Sequence, residues 1–188
     1  MDDDFARSYL ENAAAELRNL KKMADRAIAQ VADADLFTTL DEESNSLAVL
    51  LQHVGGNLRS RFRDFLTTDG EKPDRDRDAE FVIAPGTGRA DLLARWEAGW
   101  TTLLDAVDAL RPVDVGATVT IRGEPHSLVQ ALERAVIHLA YHVGQIVLLA
   151  KHARGREWQT LSVPRGASAA INRAMLEKAG REGRATSS

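Results

Sequence analysis

Apolar residues recur along most of this chain at the three- and four-residue steps of an amphipathic helix, and the rhythm stops at runs of Asp, Gly and Pro. From about Phe5 to Val31, a stripe of Tyr9, Ala13, Leu17, Leu20, Ala24 and Ile28 opposes Glu11, Arg18, Lys22 and Arg26. A second helix is predicted after the Asp41 to Asn45 run, with Leu47, Leu51, Val54, Leu58, Phe62 and Phe65 on one face and an end near Thr67. A third covers roughly Arg89 to Leu110, with Leu92, Trp96, Trp100, Leu103 and Val107 in step and Pro112 as a stop. The fourth has the clearest limits: Ser127 and Gln130 form a capping-box pair, and Gly155 follows the last periodic turn. Its core stripe of Leu128, Leu132, Val136, Leu139, Val143, Ile146 and Ala150 adjoins a second one of Ala135, His138, His142, Gln145 and Leu149. Burial over a wide arc follows.

Four helices of comparable length make the expected class all-α, a four-helix bundle with a short extra C-terminal helix at about Ser168 to Ala179. Residues 1–180 read as a single domain, and 181–188 as a polar, disordered tail. Two connections are longer than a bundle needs: Thr68 to Gly86, dense in charge of both signs, and Arg111 to His126, where Ala117-Thr118-Val119-Thr120-Ile121 alternates. A short strand pair between these two connections is an expectation, and the length of the second permits a crossover. No internal repeat is present.

Composition changes the picture mainly by exclusion. The 188 residues carry a net charge of -4 and no cysteine, which removes disulfides, thiolate ligands and cysteine nucleophiles. Mild acidity argues against phosphate backbones, so no nucleic acid is expected. The N-terminal Met1-Asp2-Asp3-Asp4-Phe5 is acidic where a signal peptide is basic, and no apolar run reaches the roughly 18 residues of a membrane span. A cytoplasmic protein with no membrane partner is the expectation.

The candidate chemistry lies with the five histidines. His138 and His142 stand four apart on one helical face, with Cβ atoms about 5 to 6 Å apart, close enough to share a metal ion. Two core histidines, each hydrogen-bonded to a carbonyl or carboxylate, would have the same spacing. His53, at the edge of the second helix's stripe, can face the same core and supply a third imidazole. His152 lies about 15 Å along the helix from His142, and His126 about 18 Å from His138, both too far to share an ion. Three imidazoles would leave a position open, as catalytic zinc sites do.

The residues that carry a resemblance are Asn45-Ser46-Leu47 leading to His53-Val54-Gly55-Gly56-Asn57-Leu58-Arg59-Ser60-Arg61, then Asp64-Phe65-Leu66-Thr67-Thr68-Asp69-Gly70-Glu71-Lys72-Pro73, Arg77-Asp78-Ala79-Glu80-Phe81, Tyr141-His142-Val143-Gly144-Gln145-Ile146 and Leu161-Ser162-Val163-Pro164-Arg165-Gly166. With this layout the chain resembles the DinB superfamily of metal-binding four-helix bundles, the YfiT-like metal-dependent hydrolases, in an uncharacterised branch. The resemblance implies that His53, His138 and His142 bind a divalent ion, commonly zinc or nickel in relatives, and that the protein forms a homodimer. Better known members are thiol S-transferases and a thiol-dependent isomerase. It therefore implies a metal-dependent transferase or hydrolase acting on a small electrophile, with a low-molecular-weight thiol as cosubstrate. The alternative is a non-catalytic dimeric metal-binding or stress-associated protein.

Around these ligands, Asn57 and Arg61 follow His53 at four-residue steps, and Gln145 continues the stripe of the histidine pair; all three are candidates to orient a bound water or an anionic substrate. For Arg61, an ion pair with Asp64 or an interhelical carboxylate is the expected plainer role. Gly55 and Gly56 each cost about 1 kcal/mol inside a helix, for which close packing or room for a ligand is a reason. Tyr141, Trp96 and Trp100 read as packing, and Asp74 to Asp78 as a solvated loop. Leu10, Met23, Leu93 and Leu104 lie off their helices' main stripes and are the expected dimer surface.

Overall fold

Three of the helices start where a side-chain oxygen accepts from an otherwise unpaired amide. In the computed structural model, which describes residues 2–185 and side chains through 178, α1 spans Asp3–Ile28 and is capped by Asp2, whose Oδ1 accepts from the Asp4 amide. Helix α2 spans Leu47–Phe62, with the Ser46 hydroxyl accepting from Val49, and α3 spans Arg89–Asp108. Helix α4 spans Leu128–Arg154 behind the expected capping box: Gln130 N–H donates to Ser127 Oγ at 3.1 Å and Ser127 N–H to Gln130 Oε1 at 3.0 Å. Gly155 ends it at φ 52°, a left-handed value that favours glycine.

Helix α2 stops five residues before the expected end. Arg63 turns extended and Asp64 takes φ 49°, so Phe65 packs into the core from a loop. Neither residue announces this in the sequence, where the apolar step continues through Phe65. The strand pair also differs from expectation. Strands β1 (Thr118–Ile121) and β2 (Glu124–Ser127) lie in one connection and pair antiparallel with each other, Ile121 opposite Glu124, across the two-residue turn Arg122-Gly123. Both turn residues have positive φ, the geometry of a tight hairpin whose twist matches its strands. Closing two residues costs far less chain entropy than joining two distant loops. The first connection still reaches the hairpin, through a backbone bond from Gly70 N–H to Thr120 O at 2.8 Å and through side-chain bonds of Asp69 and Glu71 with the Arg122-Gly123 turn.

The chain is mostly helical, and it divides into two compact units, one ending at Arg156 and the other starting at Glu157. In the first, α2 packs on α3 and α1 on α4, with lesser contacts of α1 with α3 and α2 with α4. Leu17, Leu51, Leu92, Trp96, Trp100, Leu103, Leu132 and Leu139 are wholly buried at their centre. Trp96 donates its indole N–H to Asp25 at 2.8 Å, so both tryptophans serve the core, as expected. Leu10, expected on a dimer surface, is itself core at 7 % exposure, whereas Met23 is exposed.

The second unit contains α5, Ser168–Ala185, longer than the helix expected there. Positions 181–185 of the expected tail are therefore helical, and 186–188 lie outside the described residues. Among the described residues, no helix is long and apolar enough to cross a membrane.

Candidate metal centre

Three imidazoles meet between α2 and α4. His53, His138 and His142 each offer a ring nitrogen within 4.8 Å of the others, and His53 and His142 are buried. The ring of His53 lies 5.8 Å from that of His138 and 5.1 Å from that of His142, centroid to centroid. The Nε2 atoms of His138 and His142 are 3.1 Å apart. Two ligand nitrogens at about 2.0 to 2.1 Å from one tetrahedral ion would be separated by a similar distance, so the pair already has chelate spacing. His126 sits in β2 with Nδ1 on the Glu124 carbonyl, and His152 is exposed on the last turn of α4; neither joins the cluster.

Ring orientation is set from outside. Glu80 Oε2 accepts from His53 Nδ1 at 2.8 Å, and Gln145 Oε1 accepts from His142 Nδ1 at 2.9 Å. A carboxylate and an amide oxygen can only accept, so both rings carry their proton on Nδ1 and present the Nε2 lone pair to the centre. Gln145 thus stands behind His142, as its stripe position suggested. Burial, with the neighbouring His142, His53, Arg61 and Arg75, depresses the His138 pKa to about 4. Burial also lowers that of His142, against the opposing hydrogen bond that it donates to Gln145. Both stay neutral and able to ligate at neutral pH.

In the sequence Glu80 stands only within the Arg77 to Phe81 string, with no role of its own. It ends the charge run, on the short 3-10 turn Asp78–Phe81, and is 7 % exposed. Arg75 grips it through Nε to Oε1 and Nη2 to Oε2, each at 2.8 Å. Burial alone would raise the Glu80 carboxyl, but the bonds from Arg75 and His53 outweigh that and hold it below the usual carboxylate range. The expectation of a wholly solvated run therefore needs correcting. Asp74, Arg77 and Asp78 are solvated, whereas Arg75, 4 % exposed at its side chain, is turned inward by Glu80 and Glu71. The signal available was a Glu beside an aromatic residue at the end of a mixed-charge run.

Gln52 holds that turn in place. Its amide N–H groups are shared among the carbonyls of Ala79, Glu80 and Val82 at 3.0 to 3.1 Å, while Arg95 donates to its oxygen. The two glycines have different reasons. A Cβ on Gly55 would lie 2.6 Å from the Arg95 carbonyl oxygen of α3, the close packing expected. A Cβ on Gly56 would strike the Glu80 carboxylate, so this glycine makes room for the group that orients His53.

Asn57 and Arg61 line a partly open cavity of about 190 Å³ that His53 and His138 also border. Arg61 makes no ion pair among the described residues, with Asp64 or with any other acid, which corrects its expected plainer role; Asp64 is exposed, beyond the end of α2. Tyr141 is not packing: it is 64 % exposed, with its ring 5.1 Å from that of His142.

A family model described as a protein of unknown function, DUF1572, matches residues 4–167 of the chain. No curated protein and no solved structure matches it.

Proposed function

Because the chain belongs to the DUF1572 family, whose description assigns no activity, we propose a function from the site itself: a divalent-metal-binding protein of DinB type that acts as a metal-dependent transferase or hydrolase on a small electrophile, with a low-molecular-weight thiol as cosubstrate. The observation that carries it is the convergence of three imidazoles, of which His53 and His142 are buried and have Nδ1 fixed by acceptors so that Nε2 faces the centre. Three neutral nitrogens suit zinc or nickel and leave a coordination position for a substrate. Such an ion would supply a Lewis acid that lowers the pKa of a thiol. The chain's part is to orient the imidazoles, through Glu80 and Gln145, and to border them with a cavity. Lacking cysteine, it would take the thiol from solution.

The pairing of α2 with α3 and α1 with α4 supports the four-helix-bundle reading, and a cytoplasmic setting, where small thiols stay reduced, belongs to the same proposal. The homodimer is proposed on a new surface. Ile137, Tyr141 and Leu148 form an exposed apolar row on α4, a face that a two-fold axis would set against itself.

Metal content of untagged protein, followed by conjugation assays with bacillithiol, mycothiol or glutathione and a generic electrophile, tests the reading. One ion per chain is expected, lost in His142→Ala with the helical far-UV spectrum retained, and thiol consumption that follows occupancy. A fully loaded protein that turns over none of these thiols would favour the non-catalytic, dimeric metal-binding or stress-associated alternative. A full metal complement in the triple variant of His53, His138 and His142 would overturn both.

A further inference from the structure

The cavity beside the histidines is walled by guanidinium groups and, among the described residues, by no carboxylate. Arg61 enters it from α2, Arg75 and Arg77 from the connection after α2, Arg122 from the hairpin turn and Arg134 from α4. Five cations around about 190 Å³ reverse the sign of a chain whose net charge is -4. Glu80 and Glu71 account for Arg75, and Glu71 also reaches Arg122 at 3.1 Å; neither acid lines the cavity. Among the described residues Arg77 pairs with one acid, its neighbour Asp78, at 3.7 Å, and its guanidinium lies 5.1 Å from the centre of the Phe81 ring.

Arg61 and Arg134 make no ion pair among the described residues. An exposed arginine such as Arg134 needs none. Arg61 is different: its Nη1 is buried without a hydrogen-bond partner. Burial lowers its pKa, and although Glu71 opposes this, Arg75, Arg134 and Arg122 add to it. A half-buried guanidinium facing like charges is unfavourable unless an anion shares the space. The planar fork of arginine matches the paired oxygens of a carboxylate or phosphate. In size the cavity suits a small molecule, since about 150 Å³ is enough for benzene.

We propose that this cavity binds the anionic group, carboxylate or phosphate, of the protein's small-molecule substrate, with Arg61 and Arg134 as its principal contacts, so that the rest of the substrate extends toward His53 and His138. The direction toward the histidines rests on the metal-centre reading; the anion site stands on the arginines alone.

The test is calorimetric titration of the full chain with succinate, and separately with inorganic phosphate, against succinamide as the uncharged control. Saturable binding of at least one anion and none of succinamide is expected, succinate alone identifying a carboxylate and phosphate alone a phosphoryl group. Affinity should fall about tenfold in Arg61→Gln. A smaller loss is expected in Arg134→Gln, where the side chain is exposed and the fold does not depend on it. Metal-free His142→Ala should bind the anion as the parent does, so a protein that binds anions but no metal would defeat the proposed function and leave this site standing. Absence of anion binding at millimolar concentration, or undiminished binding in both arginine variants, overturns the inference. So does binding lost in His142→Ala but kept in the arginine variants, which would place the anion on the ion.

Discussion

Glu80 shows how much a single side chain can hold. It accepts from His53 and from two nitrogens of Arg75 while almost wholly buried. Glu80→Gln should weaken metal affinity by about 10- to 100-fold, because the imidazole loses its charged anchor. It should also cost about 3 kcal/mol of stability in the metal-free protein, because Arg75 is left buried with less than its charge in partners. A metal titration and urea unfolding of the apo form read the two effects apart; unchanged affinity with lowered stability would make Glu80 a structural ion pair only. The histidines were legible because i, i+4 spacing on an apolar face is local information. Glu80 was not, since its role depends on the path of a connection that has no periodicity.

Between elements, α2 approaches α3 closely at glycine on both helices. A Cβ on Gly99 would come 2.5 Å from the Gly55 carbonyl oxygen. Gly55→Ala should therefore cost about 2 kcal/mol by forcing the two backbones apart, with metal affinity unchanged. Gly56→Ala should instead lower metal affinity by displacing Glu80, and equal effects of the two on metal binding would refute this division. The helices themselves were readable from their stripes and caps, but the end of α2 was not, because Asp64 breaks it by backbone conformation and not by residue type. The hairpin and the first connection meet at Asp69, whose carboxylate accepts from the amides of Arg122 and Gly123 at 2.8 and 2.7 Å and of Glu71 at 2.7 Å. The bond from Glu71 comes first among those that hold its pKa below the usual value, against the opposing effect of burial. The stability it adds is present above its unfolded pKa near 3.8 and is lost as the solution is acidified through the lower folded value. Asp69→Asn should cost about 1 kcal/mol at neutral pH, after allowance for solvent screening. The difference from the parent should vanish in strong acid, as denaturation at a series of pH values would show.

For the molecule as a whole, self-association is the quantity most easily measured. Light scattering should report about twice the 20.6 kDa chain mass, and Tyr141→Asp or Ile137→Asp should return it to the monomer by placing charge in an apolar contact. A monomer at micromolar concentration in the parent protein would remove the α4 face as an interface. Leu10 could not be assigned from its stripe, because a helical stripe shows which residues are apolar and not which are covered by a neighbour, and Leu10 is buried.

The fixed Nδ1 protons of His53 and His142 also bear on speed. A site whose rings are already turned needs no rotamer search before an ion enters, so uptake should be a simple second-order process, its rate rising linearly with ion concentration and limited by loss of water from the ion. Stopped-flow mixing of the apo protein with zinc would display that linearity, whereas a rate that saturates would mean that one ring must turn first.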